Sequence, residues 1–226
     1  MLDILACGDY YHALEHESLL PDLREQVNAL CSERPRRIDR YTQLALLGAM
    51  RCVAHNELPP STGLYIGSRF ASLSNTIAMH QQMIEQGDSP KPAHFINSLS
   101  NSAGYYVARN LNLQQRNLFV SRSDASLIAA LQIAALDIQS AVVSRALVGI
   151  VEETVLPSRQ HCVRLGVDPE TELGEGSHWL LLAKSPAVNE KNISLGRIDE
   201  LLTLPDTQAL TQWLERMKTL DENCQL

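Results

Sequence analysis

Between residues 127 and 138 the apolar side chains leave almost no polar face. Leu127, Ile128, Ala130, Leu131, Ile133, Ala134, Leu136 and Ile138 cover nearly the whole circumference of a helix, and only Gln132 and Gln139 mark a polar stripe. A helix that is apolar on all sides is predicted to be buried on all sides. Residues 146–151 are an unbroken apolar run, which suits a strand in a sheet covered on both faces. Residues 2–7 read as a strand, followed by polar, acidic sequence to about residue 33. Asp39 is placed to cap a helix running through Tyr41, Leu44, Ala45, Leu47 and Met50 toward Ala54, which Pro59-Pro60 closes off.

Further along, residues 64–66 predict a strand between two glycines. Residues 72–86 predict a helix with Leu73, Ile77 and Ile84 inward and Gly87 as its stop. Residues 89–92 read as a loop, 99–111 as a second helix and 118–120 as a strand. Gly174-Glu175-Gly176 reads as a tight turn into a strand over 179–183, with 193–198 pairing beside it; it lacks the Lys-Ser/Thr of a phosphate loop. In the tail, 206–220, Leu210, Trp213, Leu214, Met217 and Leu220 recur at helical spacing, a candidate cover for the helix at 127–138. The pattern is α/β: a mixed sheet with helices on both faces.

The chain has 226 residues, enough for one domain (1–226) that buries roughly 70% of its extended surface. Its net charge of −7 disfavours nucleic acid, because phosphate neutralisation needs clustered Lys and Arg. The N-terminus has no basic region before an apolar core, and no window approaches a membrane span, so a soluble, cytoplasmic protein without membrane partner is expected. Five cysteines, Cys7, Cys31, Cys52, Cys162 and Cys224, form no C-x-x-C pair and read as reduced, mostly buried thiols.

Candidate chemistry centres on residues 117–126, a short β-rich run, a turn and then the apolar helix, a layout by which many α/β enzymes present a nucleophile. The residue at the tip is Asp124. It can be read as a carboxylate nucleophile or as the N-cap of the following helix. The cap is the preferred reading, since aspartate caps well and its charge suits the positive helix end. His12-Ala13-Leu14-Glu15-His16 matches an H-x-x-E-H metal pattern, which needs both histidines on one helical face; a solvated polar helix is the preferred reading, with no metal.

Five ordered motifs carry a likeness to a known family. Arg36-Arg37-Ile38-Asp39-Arg40-Tyr41-Thr42-Gln43-Leu44-Ala45 resembles the R-x-D-R-x-x-Q-x-A motif of β-ketoacyl synthases, and Thr62-Gly63-Leu64-Tyr65-Ile66-Gly67-Ser68 resembles their glycine-bounded strand. Ser98-Leu99-Ser100-Asn101-Ser102-Ala103 resembles S-L-P-N-x-A, residues 146–153 resemble A-L-V-G-G-V-E-E, and 173–176 resemble L-G-E-G. Together they span 36–183, and no gap is needed from Ser98 to Ser126. The chain therefore resembles the N-terminal half of a ketosynthase, which implies a thiolase-like fold.

At the family's cysteine position this chain has Asp124. A thiol can be tuned toward a strongly nucleophilic thiolate, whereas a carboxylate attacking a thioester would give a labile mixed anhydride. The resemblance also implies that the two histidines of a ketosynthase's C-terminal half are missing, and with them the electrostatic partners of condensation. Non-catalytic relatives exist: chain length factors pair with an active ketosynthase. The expected role is a shortened, chain-length-factor-like subunit of the aryl polyene kind. It would need no cofactor, would heterodimerise with an active β-ketoacyl synthase and could contact an acyl carrier protein.

The same resemblance implies sites. The strand before the nucleophile pairs across the dimer axis, here Asn117, Leu118, Phe119, Val120 and Ser121. His94, Phe95 and Ile96 fall at tunnel-gating positions and Phe70 beside the nucleophile, with Tyr105 and Tyr106 either reaching the partner's tunnel or packing within the helix. Arg34, Arg36, Arg37 and Arg40 are either a docking patch for an acidic carrier protein or a solvated helix start paired with Glu33 and Asp39. Two other functions stay open: an acyl-thioester hydrolase using Asp124, and a homodimeric carrier-protein-binding module.

Overall fold

The computed structural model describes residues 2–14, 20–33, 35–166 and 174–185. Its strands are β1 (Leu2–Ala13), β2 (Thr62–Gly67), β3 (Asn117–Val120), β4 (Arg145–Glu152) and β5 (Gly174–Lys184). Among the described residues they form one sheet in the order β1-β5-β4-β2-β3. β2 runs parallel to β3 and β4, while β5 is antiparallel to both β4 and β1. β1 carries a register shift between Ile4 and Ala6. The helices are α1 (Arg24–Leu30), α2 (Arg40–Val53), α3 (Leu73–His80), α4 (Pro92–Ser98), α5 (Ser102–Asn110), α6 (Ser126–Gln139) and α7 (Ser158–Leu165).

The alternation of side chains along a strand splits the core in two. Leu147 and Val151 of β4, with Trp179 and Leu181 of β5, pack under Leu44, Ala45 and Leu47 of α2. Their neighbours Ala146, Val148, Leu180 and Leu182 pack under Leu127, Leu131 and Ala134 of α6. The sheet is thus mixed and covered by helices on both faces, as expected. Asp39 caps α2, its side chain accepting from Thr42 N at 3.0 Å. Trp179 sits directly between two glycines: a Cβ added at Gly48 or Gly149 would come within 2.5 and 2.3 Å of its ring.

Several expectations need correction. β1 continues to Ala13, so His12 lies in a strand and lacks the helical face that H-x-x-E-H requires; Glu15 and His16 lie outside the described residues. A helix, α1, interrupts the polar stretch after β1. The helix from residue 72 passes into a π turn, Gln81–Glu85, which leaves Ile84 68% exposed. Pro92 starts α4 rather than belonging to a loop, because proline at the first helical position gives up only an N–H that has no helical partner. Gly174, Glu175 and Gly176 are the first residues of β5, not a turn. α6 is not buried all round: Leu136 is 61% exposed, while Asp137 is buried. Residues 193–198, the tail at 206–220 and Cys224 lie outside the described residues.

Candidate functional site

β3 ends the sheet on the side of β2. Leu64 N donates to Arg116 O and Ser68 N to Val120 O, so the even-numbered carbonyls of this segment face β2. The N–H and C=O groups of Asn117, Phe119 and Ser121 therefore point outward along an edge that is unpaired among the described residues. Leu118, Phe119 and Val120 are half-buried, while Asn117 and Ser121 are exposed. The strand seats closely on α5, where a Cβ on Gly104 would come within 2.5 Å of Asn117 Oδ1.

After β3 the chain turns through Ser123, whose φ of 51° is left-handed. The hydroxyl of Ser126 accepts from Arg122 N at 2.8 Å and lies 2.6 Å from Ser123 O and 3.0 Å from Ser68 O, fixing this turn against the exit of β2. Asp124 is not the cap of α6. The N-cap position is Ala125, without a side-chain cap bond, and Asp124 Oδ1 instead pairs with Arg69 Nη1 at 3.0 Å. Arg69 also stacks over Phe70, 4.9 Å from its ring centroid.

A cavity of about 260 Å³ opens beside this pair, between Phe70, Leu73, Ile150 and Val155, with Glu152, His161 and Cys162 on its wall. Glu152 accepts from Arg69 N and from Ser68 Oγ at 3.2 Å. Glu153 accepts from Ser74 N at 2.7 Å and its Oγ at 2.9 Å. Both carboxylates thus clamp the 68–74 loop to the end of β4. Burial pushes the Glu152 carboxyl up to about 7 and, likewise, that of Glu153.

Phe70 and Asp124 share this cavity, whereas His94, Phe95 and Ile96 lie in α4, away from its lining. Phe95 and Ile96 are more than half exposed. Tyr105 is exposed and accepts from Arg109 Nη1 at 2.9 Å, and Tyr106 packs edge-on against it at 5.3 Å. Of the arginine patch, Arg40 is partly buried and engaged within the chain: it makes two bonds to the buried Glu175 and donates to Pro21 O at 2.9 Å. The expected partners are engaged elsewhere, Glu33 with Arg109 and Asp39 with Ser72. Arg36 and Arg37 are exposed, and Arg34 lies outside the described residues.

Sequence reasoning missed Arg69 and the trio in which the buried Tyr65 donates from Oη to Asp137 Oδ2 at 2.7 Å and the more exposed Arg116 from Nη1 to Oδ1 at 3.2 Å. Asp137 was legible as an acid amid an apolar helix face; Arg69 carried no local signal. Among the described residues no group of His, Cys, Asp and Glu could hold a metal ion, and no helix is long and apolar enough to cross a membrane.

No protein family model and no curated protein matches the chain. Solved structures do. The ishigamide ketosynthase/chain length factor aligns with a TM-score of 0.70 at 19% identity, covering 86% of this chain and 64% of that one. The ketosynthase ApeO in complex with its chain length factor ApeC from Xenorhabdus doucetiae aligns at 0.59 and 20%, covering 82% and 80%. AntDE:AntF, a type II PKS acyl-carrier protein in complex with its ketosynthase, aligns at 0.60 and 18%, covering 81% and 58%. The chain thus spans less than two thirds of the first and third of these, and it has the ketosynthase-like fold shared by these ketosynthase and chain length factor structures.

Proposed function

We propose that this chain is a non-catalytic, chain-length-factor-like subunit that heterodimerises with an active β-ketoacyl synthase. It would stabilise that enzyme and shape its acyl tunnel in type II fatty acid or polyketide biosynthesis of the aryl polyene kind, as one cytoplasmic domain. The observation that carries the reading is the Arg69–Asp124 ion pair at the tip of the turn. Where a condensing enzyme needs a thiolate, this chain has an acceptor-only carboxylate whose charge is already engaged by a cation.

The β3 edge and the exposed Phe95 and Ile96 support a role in assembly. A bare edge with apolar side chains is a template for another strand, and pairing it removes the hazard. Phe95 and Ile96 would supply bulk to a partner's tunnel, with Phe70 as the residue beside the former nucleophile position. Arg36 and Arg37 remain as the exposed cations that could steer an acidic carrier protein.

The test is co-expression with a type II β-ketoacyl synthase that has an intact active-site cysteine. The proposal expects a stable one-to-one complex that condenses acyl and malonyl units, longer products when Phe95→Ala is introduced, and no condensation by this chain alone. Turnover of acyl thioesters by the purified chain, lost in Asp124→Asn, would replace the proposal with the hydrolase.

A further inference from the structure

Resting on the proposed pairing through β3, the structure assigns Arg116 and Arg122, at the two ends of this edge, the role of rejecting a second copy and selecting a partner strand with carboxylates opposite them. The outward backbone groups belong to Asn117, Phe119 and Ser121. A two-fold axis perpendicular to the sheet keeps each side chain on its own face. Residues that meet across the axis must then sum to an even number. Only the register centred on Phe119 pairs all three outward residues, Phe119 with its equivalent and Asn117 with Ser121. Moving the centre to Val120 would match Asn117 to Ser123, which is not extended, and moving it to Leu118 would match Ser121 to Gln115, which lies in a bend.

In the Phe119-centred register the intervening positions are the close, non-hydrogen-bonded ones. They set Leu118 against Val120 and Arg116 against Arg122, twice over. Like charges directly opposite each other destabilise a strand pair. Asp137 takes up part of the Arg116 charge from within the chain, at 3.2 Å, but Arg116 keeps 43% of its side chain exposed. Arg122 is exposed and its side chain has no ion-pair partner among the described residues. Self-pairing would set two pairs of guanidinium groups against each other. A non-identical edge strand with a carboxylate opposite Arg122, and another opposite Arg116, turns the same positions into attractive pairs. Specificity of this kind comes from repelling the wrong partner as much as from attracting the right one.

The experiment uses the full chain and Arg122→Glu, each alone, in sedimentation velocity over a dilution series at low salt. Arg122→Glu should self-associate about tenfold or more tightly than the wild type, the gain shrinking at high salt. Asn117→Pro, which removes an outward N–H at a strand start where proline is tolerated, should weaken that dimer without lowering the thermal midpoint. Equal self-association of the two chains, none included, overturns the inference, as does an Arg122→Glu dimer indifferent to Asn117→Pro. A second arm keeps the two readings apart. With a co-expressed β-ketoacyl synthase, Arg122→Glu should loosen the complex about tenfold. A complex sensitive to Asn117→Pro but not to Arg122→Glu sinks the charge rule and leaves the proposed function standing. Absence of any ketosynthase complex sinks the proposed function, while the self-association arm still decides whether the edge rejects its copy.

Discussion

The Asp124 carboxylate lies 3.0 Å from the Arg69 guanidinium, so the loop after β2 and the turn before α6 are joined by charge. Replacing Asp124 by cysteine would put a thiol beside that cation and near a helix N-terminus, both of which favour thiolate. Asp124→Cys is expected to react with iodoacetamide several-fold faster than glutathione at neutral pH, as read by peptide-resolved mass spectrometry. Under the proposed function, condensation should still be absent, because a nucleophile alone does not supply the stabilisation of a developing oxyanion.

Arg40 and Glu175 form a partly buried pair, with the Glu175 side chain fully enclosed. Arg40→Ala leaves that carboxylate without its cation and should cost about 3–5 kcal/mol in urea unfolding. The double variant Arg40→Met/Glu175→Leu should be less damaging than the single one, because it removes the orphaned charge together with its partner.

Stability should fall as pH rises across the range in which Glu152 and Glu153 ionise in the folded chain. Their carboxyls titrate near 7 when folded, against an ordinary value of 4.5. The folded state therefore binds protons more tightly. The favourable contribution is complete below 4.5 and is lost as pH rises through about 7. Glu152→Gln and Glu153→Gln should each flatten the fall by about 1–3 kcal/mol, measured as urea midpoints between acid and neutral pH.

Gly149→Ala should destabilise the chain by about 1–3 kcal/mol, since its new Cβ meets the fully buried Trp179 ring across the β4–β5 pair. Near-UV circular dichroism should report the displaced indole, and Gly87→Ala, in an open position at a helix stop, should leave that signal unchanged.

What the residues disclosed follows from range. Asp39 as a cap, β4 as a doubly covered strand and Gly87 as a stop rest on neighbours within a turn or on side-chain period, and the structure bears them out. Arg40 and Glu175 are 135 residues apart, so each was read by its surroundings, one as a surface charge and the other as part of a turn. Asp124 was read as a cap because the helix beside it was visible and Arg69 was not. α4 went unread because proline marks starts as well as stops, and only the geometry on either side distinguishes them.

The register shift at the start of β1 bears on which margin of the sheet can take another strand. β1 and β3 are the two outer strands of the described sheet, one puckered near Leu5 and the other regular. A bulge twists an edge strand and blunts it as a template, so the start of β1 offers a further strand a crimped margin where β3 offers a straight seam.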